Sequence, residues 1–193
     1  MIEYYERRAA EYDSTAWEHP GMDYAGAKAV HAILEFLPPV PTLDIGCGTG
    51  YVSRWLPGDL TLLDASPSML EIAQQRLPRA KVVRAVVPPL PFADHSFKRA
   101  FTANLFGHLT PESRKQLVSE MTRVANEAIV LDQLSADGVF REGLERRQLL
   151  DGTTVDIYKC YFTTEQLMAE LETGEVLMDG PVFTIVRLTH AKK

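Results

Sequence analysis

Three glycines within eight residues carry the first chemical signal in this chain. Leu43-Asp44-Ile45-Gly46-Cys47-Gly48-Thr49-Gly50 begins in an apolar run that reads as a strand, Thr42 to Ile45, and leads into a short helical stretch bearing Val52, Trp55 and Leu56. A turn from strand to helix leaves backbone N–H groups unpaired at the positive end of the helix dipole. Glycine there lets the main chain approach a ligand closely. The spacing matches neither the G-x-G-x-x-G dinucleotide fingerprint nor the lysine-containing phosphate loop, which argues against a nicotinamide-dependent oxidoreductase. Asp64 lies 14 residues beyond Gly50 and ends the next apolar run, Leu60 to Asp64. A carboxylate at that strand end can accept hydrogen bonds from both hydroxyls of a ribose lying across the sheet edge, where ligands of open α/β sheets gather.

The elements that must position these residues follow from periodicity. Val30, Ile33, Leu34 and Leu37 mark one face of a helix over Met22 to Leu37, and Tyr5, Ala9 and Tyr12 mark a short N-terminal one. Ser66-Pro67 and Thr110-Pro111 each read as an N-cap followed by proline at the first helical position. Their helices carry the stripes Met69, Ala73, Leu77 and Leu117, Met121, Val124. Further strands are expected at Lys81 to Val87, Arg99 to Asn104 and Ala128 to Asp132. Strands alternating with helices imply parallel pairing in a sheet covered on both faces.

Two later segments break the alternation. Glu145 to Leu150 and Thr154 to Tyr161 flank Asp151-Gly152, a hairpin turn pair. Thr163-Thr164-Glu165-Gln166 starts a helix bearing Leu167 and Leu171. Glu175 to Met178 and Val182 to Thr189 are then joined by Asp179-Gly180-Pro181, a turn too short for anything but antiparallel neighbours. The expected fold is α/β: a three-layer α/β/α sandwich on a mostly parallel seven-stranded sheet with a reversed last strand, plus a β-hairpin insertion. One domain accounts for 1–193, with a helical cap at 1–38, a cofactor-binding core at 40–133, the hairpin at 135–162, and a helix and antiparallel strands at 163–193.

Composition narrows the function. The chain has 193 residues, 46% apolar and 24% charged, which suits one globular domain. With 20 Lys+Arg against 26 Asp+Glu the net charge is −6, the wrong sign for a protein that neutralises many phosphates, so nucleic acid is not the expected partner. Two cysteines, Cys47 and Cys160, give no disulfide framework. No apolar run is long enough to span a membrane, and the charged N-terminus is no signal peptide. The expected location is cytoplasmic.

The glycine motif, Asp64 and Leu90-Pro91-Phe92-Ala93-Asp94-His95-Ser96-Phe97 together resemble the class I S-adenosylmethionine-dependent methyltransferases of small-molecule type, over roughly residues 40 to 133. Tyr5 and Arg8-Ala9-Ala10-Glu11-Tyr12-Asp13 resemble the helix that closes over the cofactor in many of them. The resemblance implies S-adenosylmethionine as cofactor and S-adenosylhomocysteine as product. It implies that Asp44, Gly46, Cys47, Gly48 and Gly50 surround the methionine end. Asp64 would take the ribose, Ala65, Met69, Val86 and Val87 the adenine, and Asn104, Leu105 and Phe106 the methyl-transfer point, with Tyr5 and Tyr12 as lid contacts. Val86 stands where the family commonly has an acidic residue, so stacking and backbone contacts would hold the adenine. Phe97-Lys98 and Ala125-Asn126-Glu127 also depart from family wording.

On the acceptor side, the resemblance makes His108, near the methyl-transfer point, and Asp132, near the end of strand five, the candidate bases. His19, His31, His95 and His190 show no evident partner, and no spacing suggests a metal. Asn104-Leu105-Phe106 lacks the Asn-Pro-Pro-aromatic signature of amino-methylating nucleic-acid enzymes. In the hairpin, Phe140, Arg141, Arg146, Tyr158 and Tyr161 could form an acceptor wall, the arginines favouring an anionic group. A homodimer contact or a purely structural hairpin are equal readings. The expected function is methyl transfer to a small-molecule acceptor through an O, N or C nucleophile. The alternatives are a cofactor-binding protein without turnover and, behind it, an RNA or protein methyltransferase.

Overall fold

The apolar runs pair into one sheet, and pairing order decides where the glycine loop ends up. The computed structural model describes residues 2–16, 24–172 and 174–189. Its elements are α1 (Ile2–Arg8), α2 (Tyr12–Ala16), α3 (Tyr24–Glu35), β1 (Thr42–Ile45), β2 (Leu60–Asp64), α4 (Pro67–Arg76), β3 (Lys81–Arg84), β4 (Phe97–Ala103), α5 (Pro111–Val124) and β5 (Ala125–Gln133). There follow β6 (Arg141–Gln148), β7 (Thr154–Tyr161), α6 (Thr164–Glu170), β8 (Glu175–Asp179) and β9 (Phe183–Thr189). Seven strands form one sheet in the order β3-β2-β1-β4-β5-β9-β8, and β6 and β7 form a separate antiparallel hairpin.

The first five strands are parallel, and β9 is antiparallel to both its neighbours. The reversed strand is therefore the last in the chain but not at the sheet edge, as its position in the sequence suggested. It is inserted between β5 and β8. Phe183, Ile185, Val186 and Leu188 of β9 are buried, whereas Val176 of β8 is partly exposed, so the more apolar arm takes the inner place. Leu117, Met121 and Val124 of α5 and Leu167 of α6 pack with Leu43, Ile45, Val130 and Val186 on one face. Val30 and Leu34 of α3 pack with Phe101, Ile129 and Ile185 on the other. That gives the three layers.

Strand order reverses between β1 and β4, and in open α/β sheets the crevice beyond the strand ends at such a point is where ligands bind. Several boundaries differ from the sequence reading, and the differences shape this crevice. Strand β3 stops at Arg84, after which Ala85 N–H bonds the Asp64 carbonyl at 3.1 Å and Val86 and Val87 leave the ladder. Strand β4 ends at Ala103 because Asn104 turns to φ +56°, a left-handed conformation that Asn tolerates better than most residues. Strand β5 starts at Ala125, directly after α5, with no intervening loop. The first hairpin arm is Arg141–Gln148, since Leu149 closes the turn by bonding the Thr153 carbonyl at 2.9 Å. The expected N-terminal helix is broken into α1 and α2 by a 3-10 turn over Ala9–Glu11. Ser66, Thr110 and Thr163 each accept a bond from the backbone of their own first turn, as N-caps should. Met22, His19 and His190 lie outside the described residues.

Candidate active site

A cleft opens beyond the ends of β1, β2 and β4, lined by Gly46, Gly48, Asp64, Ala65, Met69, Val86, Val87, Asn104 and Leu105. Helix α1 covers it with Ile2 and Tyr5, and Tyr12 adds to the wall. The N-terminal segment is clasped across the loop. Glu6 accepts from the hydroxyls of Ser66 and Ser68, and Asp13 takes the Thr49 hydroxyl at 2.6 Å and the Arg76 guanidinium at 2.5 Å.

The glycine loop does not offer the row of free N–H groups expected of it. Gly46 and Cys47 donate to the Leu63 carbonyl at 2.7 and 3.0 Å, and Gly48 donates to Asp64 Oδ2 at 2.9 Å. What the glycines supply is room. Gly46 has φ +69°, and a Cβ there would lie 2.9 Å from the Leu105 side chain. Gly50, expected at the cofactor, instead packs on α4: a Cβ would lie 3.3 Å from that of Ala73.

Two buried oxygens face this region without a partner. Asp44 is 2% exposed; its Oδ2 accepts from Ser53 Oγ at 2.5 Å, while Oδ1 has no hydrogen bond. Burial pushes its carboxyl up to about 7. Asn104 Oδ1 is also buried and unbonded, and both side chains line a small recess under Tyr12 that continues past Cys47 and Gly48. Buried polar atoms are rarely left without a partner in native proteins, so two at one crevice mark donors to be supplied by a ligand. Asp64 anchors the loop through its bonds to Gly48 and Ser66 (2.9 Å each), and each oxygen keeps a lone pair for the cleft. The Cys47 thiol is pushed far up by burial and is no nucleophile.

At the other end of the cleft, His108 is fixed at both ring nitrogens. Nδ1 lies 2.8 Å from the Tyr158 carbonyl oxygen, which can only accept, so Nδ1 carries the proton. Nε2 is then the acceptor for the Tyr5 hydroxyl at 2.9 Å. Burial, reinforced by the Lys159 charge, lowers His108 to about 4, so the ring is neutral at ordinary pH. Tyr5 is pushed well up, chiefly by burial, and keeps its proton.

Asp132, the second candidate base, is fully buried behind this site. Its Oδ2 accepts from Gly107 N–H at 2.8 Å and its Oδ1 from Lys159 Nζ at 3.0 Å and Gln133 N–H at 2.7 Å. It therefore acts as a strut beneath the turn that carries His108. Gly107 must be glycine here, because a Cβ would lie 2.5 Å from the Cys160 carbonyl. Phe106, expected at the methyl-transfer point, is core: it is fully buried against Phe162.

The hairpin contributes to the site, but not through the residues expected. Arg141 pairs with Asp137 and Arg146 with Asp156, both in solvent. Phe140 packs on Phe162, and the Tyr158 hydroxyl turns to Glu142 and Arg114. Tyr161 supports Arg147 at 2.8 Å without lining a cavity. The side chains that do line one are Arg147, Ile157 and Lys159. Successive strand residues face opposite sides, so Arg147 faces the cleft where Arg146 faces water. The apolar Ile157 and Leu149, which join Tyr4 of α1, decide which face is inner.

These three residues, with Arg8, Thr15, Gln133 and Phe183, line a second cavity. It shares Tyr5, Tyr12, Asn104 and His108 with the first cleft. His31 proves to be partnered, stacking on Trp55 at 5.1 Å, and His95 lies exposed in the turn before β4. Among the described residues no group of His, Cys, Asp and Glu could hold a metal ion. No helix among them is long and apolar enough to cross a membrane.

A sheet whose parallel order reverses beside a glycine loop, with a carboxylate at the end of β2 and a reversed β9, defines an α/β protein with a ligand crevice at the switch point. Comparison makes that class specific. Residues 42–128 match a methyltransferase domain family. An uncharacterized methyltransferase of Synechocystis sp. is 30% identical over 160 residues, covering 80% of this chain and 71% of that protein. A demethylmenaquinone methyltransferase of Thermotoga maritima is 35% identical over 109 residues, 54% of this chain and 47% of that one. The solved structure of a DhpI-SAM-HEP complex shares the fold, with a TM-score of 0.81 at 24% identity over 96% of this chain and 94% of that one. The chain belongs to the class I S-adenosylmethionine-dependent methyltransferases, and S-adenosylmethionine is the cofactor of that class. It spans about half the length or less of several curated relatives it matches.

Proposed function

We propose that this chain transfers the methyl group of S-adenosylmethionine to a small-molecule acceptor, as a cytoplasmic enzyme. The observation that carries the reading is the joining of two cavities at Tyr5, Tyr12, Asn104 and His108, one beside the unpartnered oxygens of Asp44 and Asn104. Those oxygens fit the cofactor's α-ammonium group, which needs buried acceptors. Asp64 takes the ribose hydroxyls, while Ala65, Met69, Val86 and Val87 enclose the adenine. Val86, 65% exposed at the adenine end, supplies no charge there. When bound, the cofactor supplies an electrophilic methyl group on a sulfonium.

The protein's part is to seat the acceptor at the shared wall, exclude water beneath α1, and receive a proton. Alignment alone can lower a barrier by roughly 7–11 kcal/mol in well-oriented systems. A hydroxyl acceptor must also lose a proton as it is methylated, and an ammonium must lose one before its nitrogen can attack. His108 Nε2 is the acceptor placed for it, directly or through the Tyr5 hydroxyl. The name of one relative fits a small acceptor: a demethylmenaquinone methyltransferase.

The test is incubation with isotopically methyl-labelled S-adenosylmethionine and pooled small hydroxy, amino and carboxylic compounds, followed by mass spectrometry. The expected result is acceptor-dependent S-adenosylhomocysteine formation together with a labelled product. Cofactor binding without turnover in any pool would instead favour the binding-only reading.

A further inference from the structure

The second cavity is lined by cationic side chains and by no anionic ones. The chain carries a net charge of −6, yet Arg8, Arg147 and Lys159 line this cavity and no Asp or Glu side chain does. The counter-charges are not among the lining residues: Glu145 holds Arg147 at 2.5 Å, and buried Asp132 holds Lys159 at 3.0 Å. Arg8 differs again. It is set by neutral groups, the Tyr4 hydroxyl and Thr15 Oγ1, each at 3.1 Å, with its guanidinium over the Tyr12 ring at 5.0 Å. Among the described residues none of its hydrogen-bond partners is a carboxylate. A guanidinium pre-positioned by neutral partners at a cavity wall keeps N–H donors and its full charge for a ligand.

We propose that this cavity is the acceptor site and that it takes a small molecule bearing an oxyanion, a carboxylate or a phosphoryl-type group, seated on Arg8 and Arg147. The proposal rests on the methyltransferase reading and adds the chemical class of the acceptor. The oxyanion end lies at the cationic wall, and the other end reaches the wall shared with the cofactor cleft at His108 and Tyr5. Lys159, already neutralised by Asp132, orients the floor. Thr15 and Gln133 add neutral hydrogen-bonding groups to the wall. The positive lining also concentrates anions at the mouth of an otherwise acidic protein.

The inference is tested by calorimetric titration at fixed ionic strength, first with S-adenosylhomocysteine. Protein saturated with it is then titrated with inorganic phosphate, with acetate and, as a neutral control, with glycerol. Phosphate, acetate or both are expected to bind saturably, and whichever binds identifies the oxyanion; glycerol is expected not to bind. Arg8→Gln and Arg147→Gln should each weaken the anion about tenfold or more, as expected for a lost hydrogen bond to a charged group. Arg147→Gln should leave S-adenosylhomocysteine affinity within about threefold, since its side chain does not line the cofactor cleft. Anion binding that is absent, or equal in wild type and both variants, overturns the proposal while the cofactor reading stands. Failure of S-adenosylhomocysteine itself to bind would instead strike the reading beneath it.

Discussion

Asp44→Asn is expected to weaken S-adenosylhomocysteine binding by about 2–5 kcal/mol, the usual loss when one partner of a buried hydrogen-bonded charge pair is removed. The unliganded protein should not suffer with it. Burial raises the folded carboxyl to about 7, above its ordinary value of 3.8. A raised folded value means that stability present at low pH is lost as pH rises through 7. At pH 8 the carboxylate is therefore a burden on the unliganded fold, and a neutral amide that keeps the Ser53 bond removes it. The melting temperature of the variant at pH 8 is expected to equal or exceed that of wild type.

The same argument gives a pH signature. An ammonium group brought to Asp44 favours its ionised form, so binding below pH 7 releases a proton. Wild-type affinity should rise with pH by up to about tenfold per unit and level off above pH 7. That slope should be absent in Asp44→Asn. Calorimetry in buffers of different ionisation enthalpy reads the proton directly. A variant that binds as tightly as wild type, with the same pH slope, would show that Asp44 does not meet the ligand's ammonium.

The second large effect falls on turnover. Once an acceptor is known, His108→Asn is expected to lower kcat by about 10²–10⁴, the range for a lost general base. Asn retains an N–H near the Nδ1 position to donate to the Tyr158 carbonyl, so the turn keeps its tie to β7 while the Nε2 acceptor disappears. Cofactor affinity should change by less than about threefold. Wild-type kcat should be level from pH 6 to 8, because a histidine lowered to about 4 is already neutral there, and should fall as pH approaches that value. Tyr5→Phe should cost far less, since it opens Nε2 to the acceptor. An unchanged kcat in His108→Asn would mean that the acceptor needs no base and that the site works by alignment alone.

The glycine turn and Asp64 of the candidate cofactor cleft were legible in the sequence because they lie on two successive strand ends. The glycine motif is one turn, and Asp64 follows at the next strand end, so their meeting needs only parallel pairing of β1 and β2. Yet Gly50 and Phe106 sat in the motif without touching the cleft, one packing on α4 and the other on Phe162. Motif membership could not separate contact from support.

The proposed acceptor side draws on α1, the turn after β4 and the hairpin, which are far apart in the chain. There a strand's parity decided everything. Arg146 and Arg147 are adjacent and chemically alike, and only packing of Leu149 and Ile157 against Tyr4 turns the second one inward. Arg8 was read as part of the lid motif and not as a ligand group, because the neutral setting of its charge is visible only in three dimensions. The place of β9 inside the sheet followed from burial of Ile185 and Val186, a balance between two neighbouring strands that local patterning does not report.

Calorimetric titration of the purified chain with S-adenosylhomocysteine, with NADH as the control ligand and Asp64→Ala alongside, decides whether this crevice is the cofactor site. Saturable micromolar binding is expected for S-adenosylhomocysteine and none for NADH. Asp64→Ala, checked to be folded by its melting curve, should lose about 2 kcal/mol, as for a buried carboxylate that hydrogen-bonds the ligand. Folded wild-type protein that fails to bind S-adenosylhomocysteine, or a folded Asp64→Ala that binds it undiminished, would contradict the assignment of this cleft.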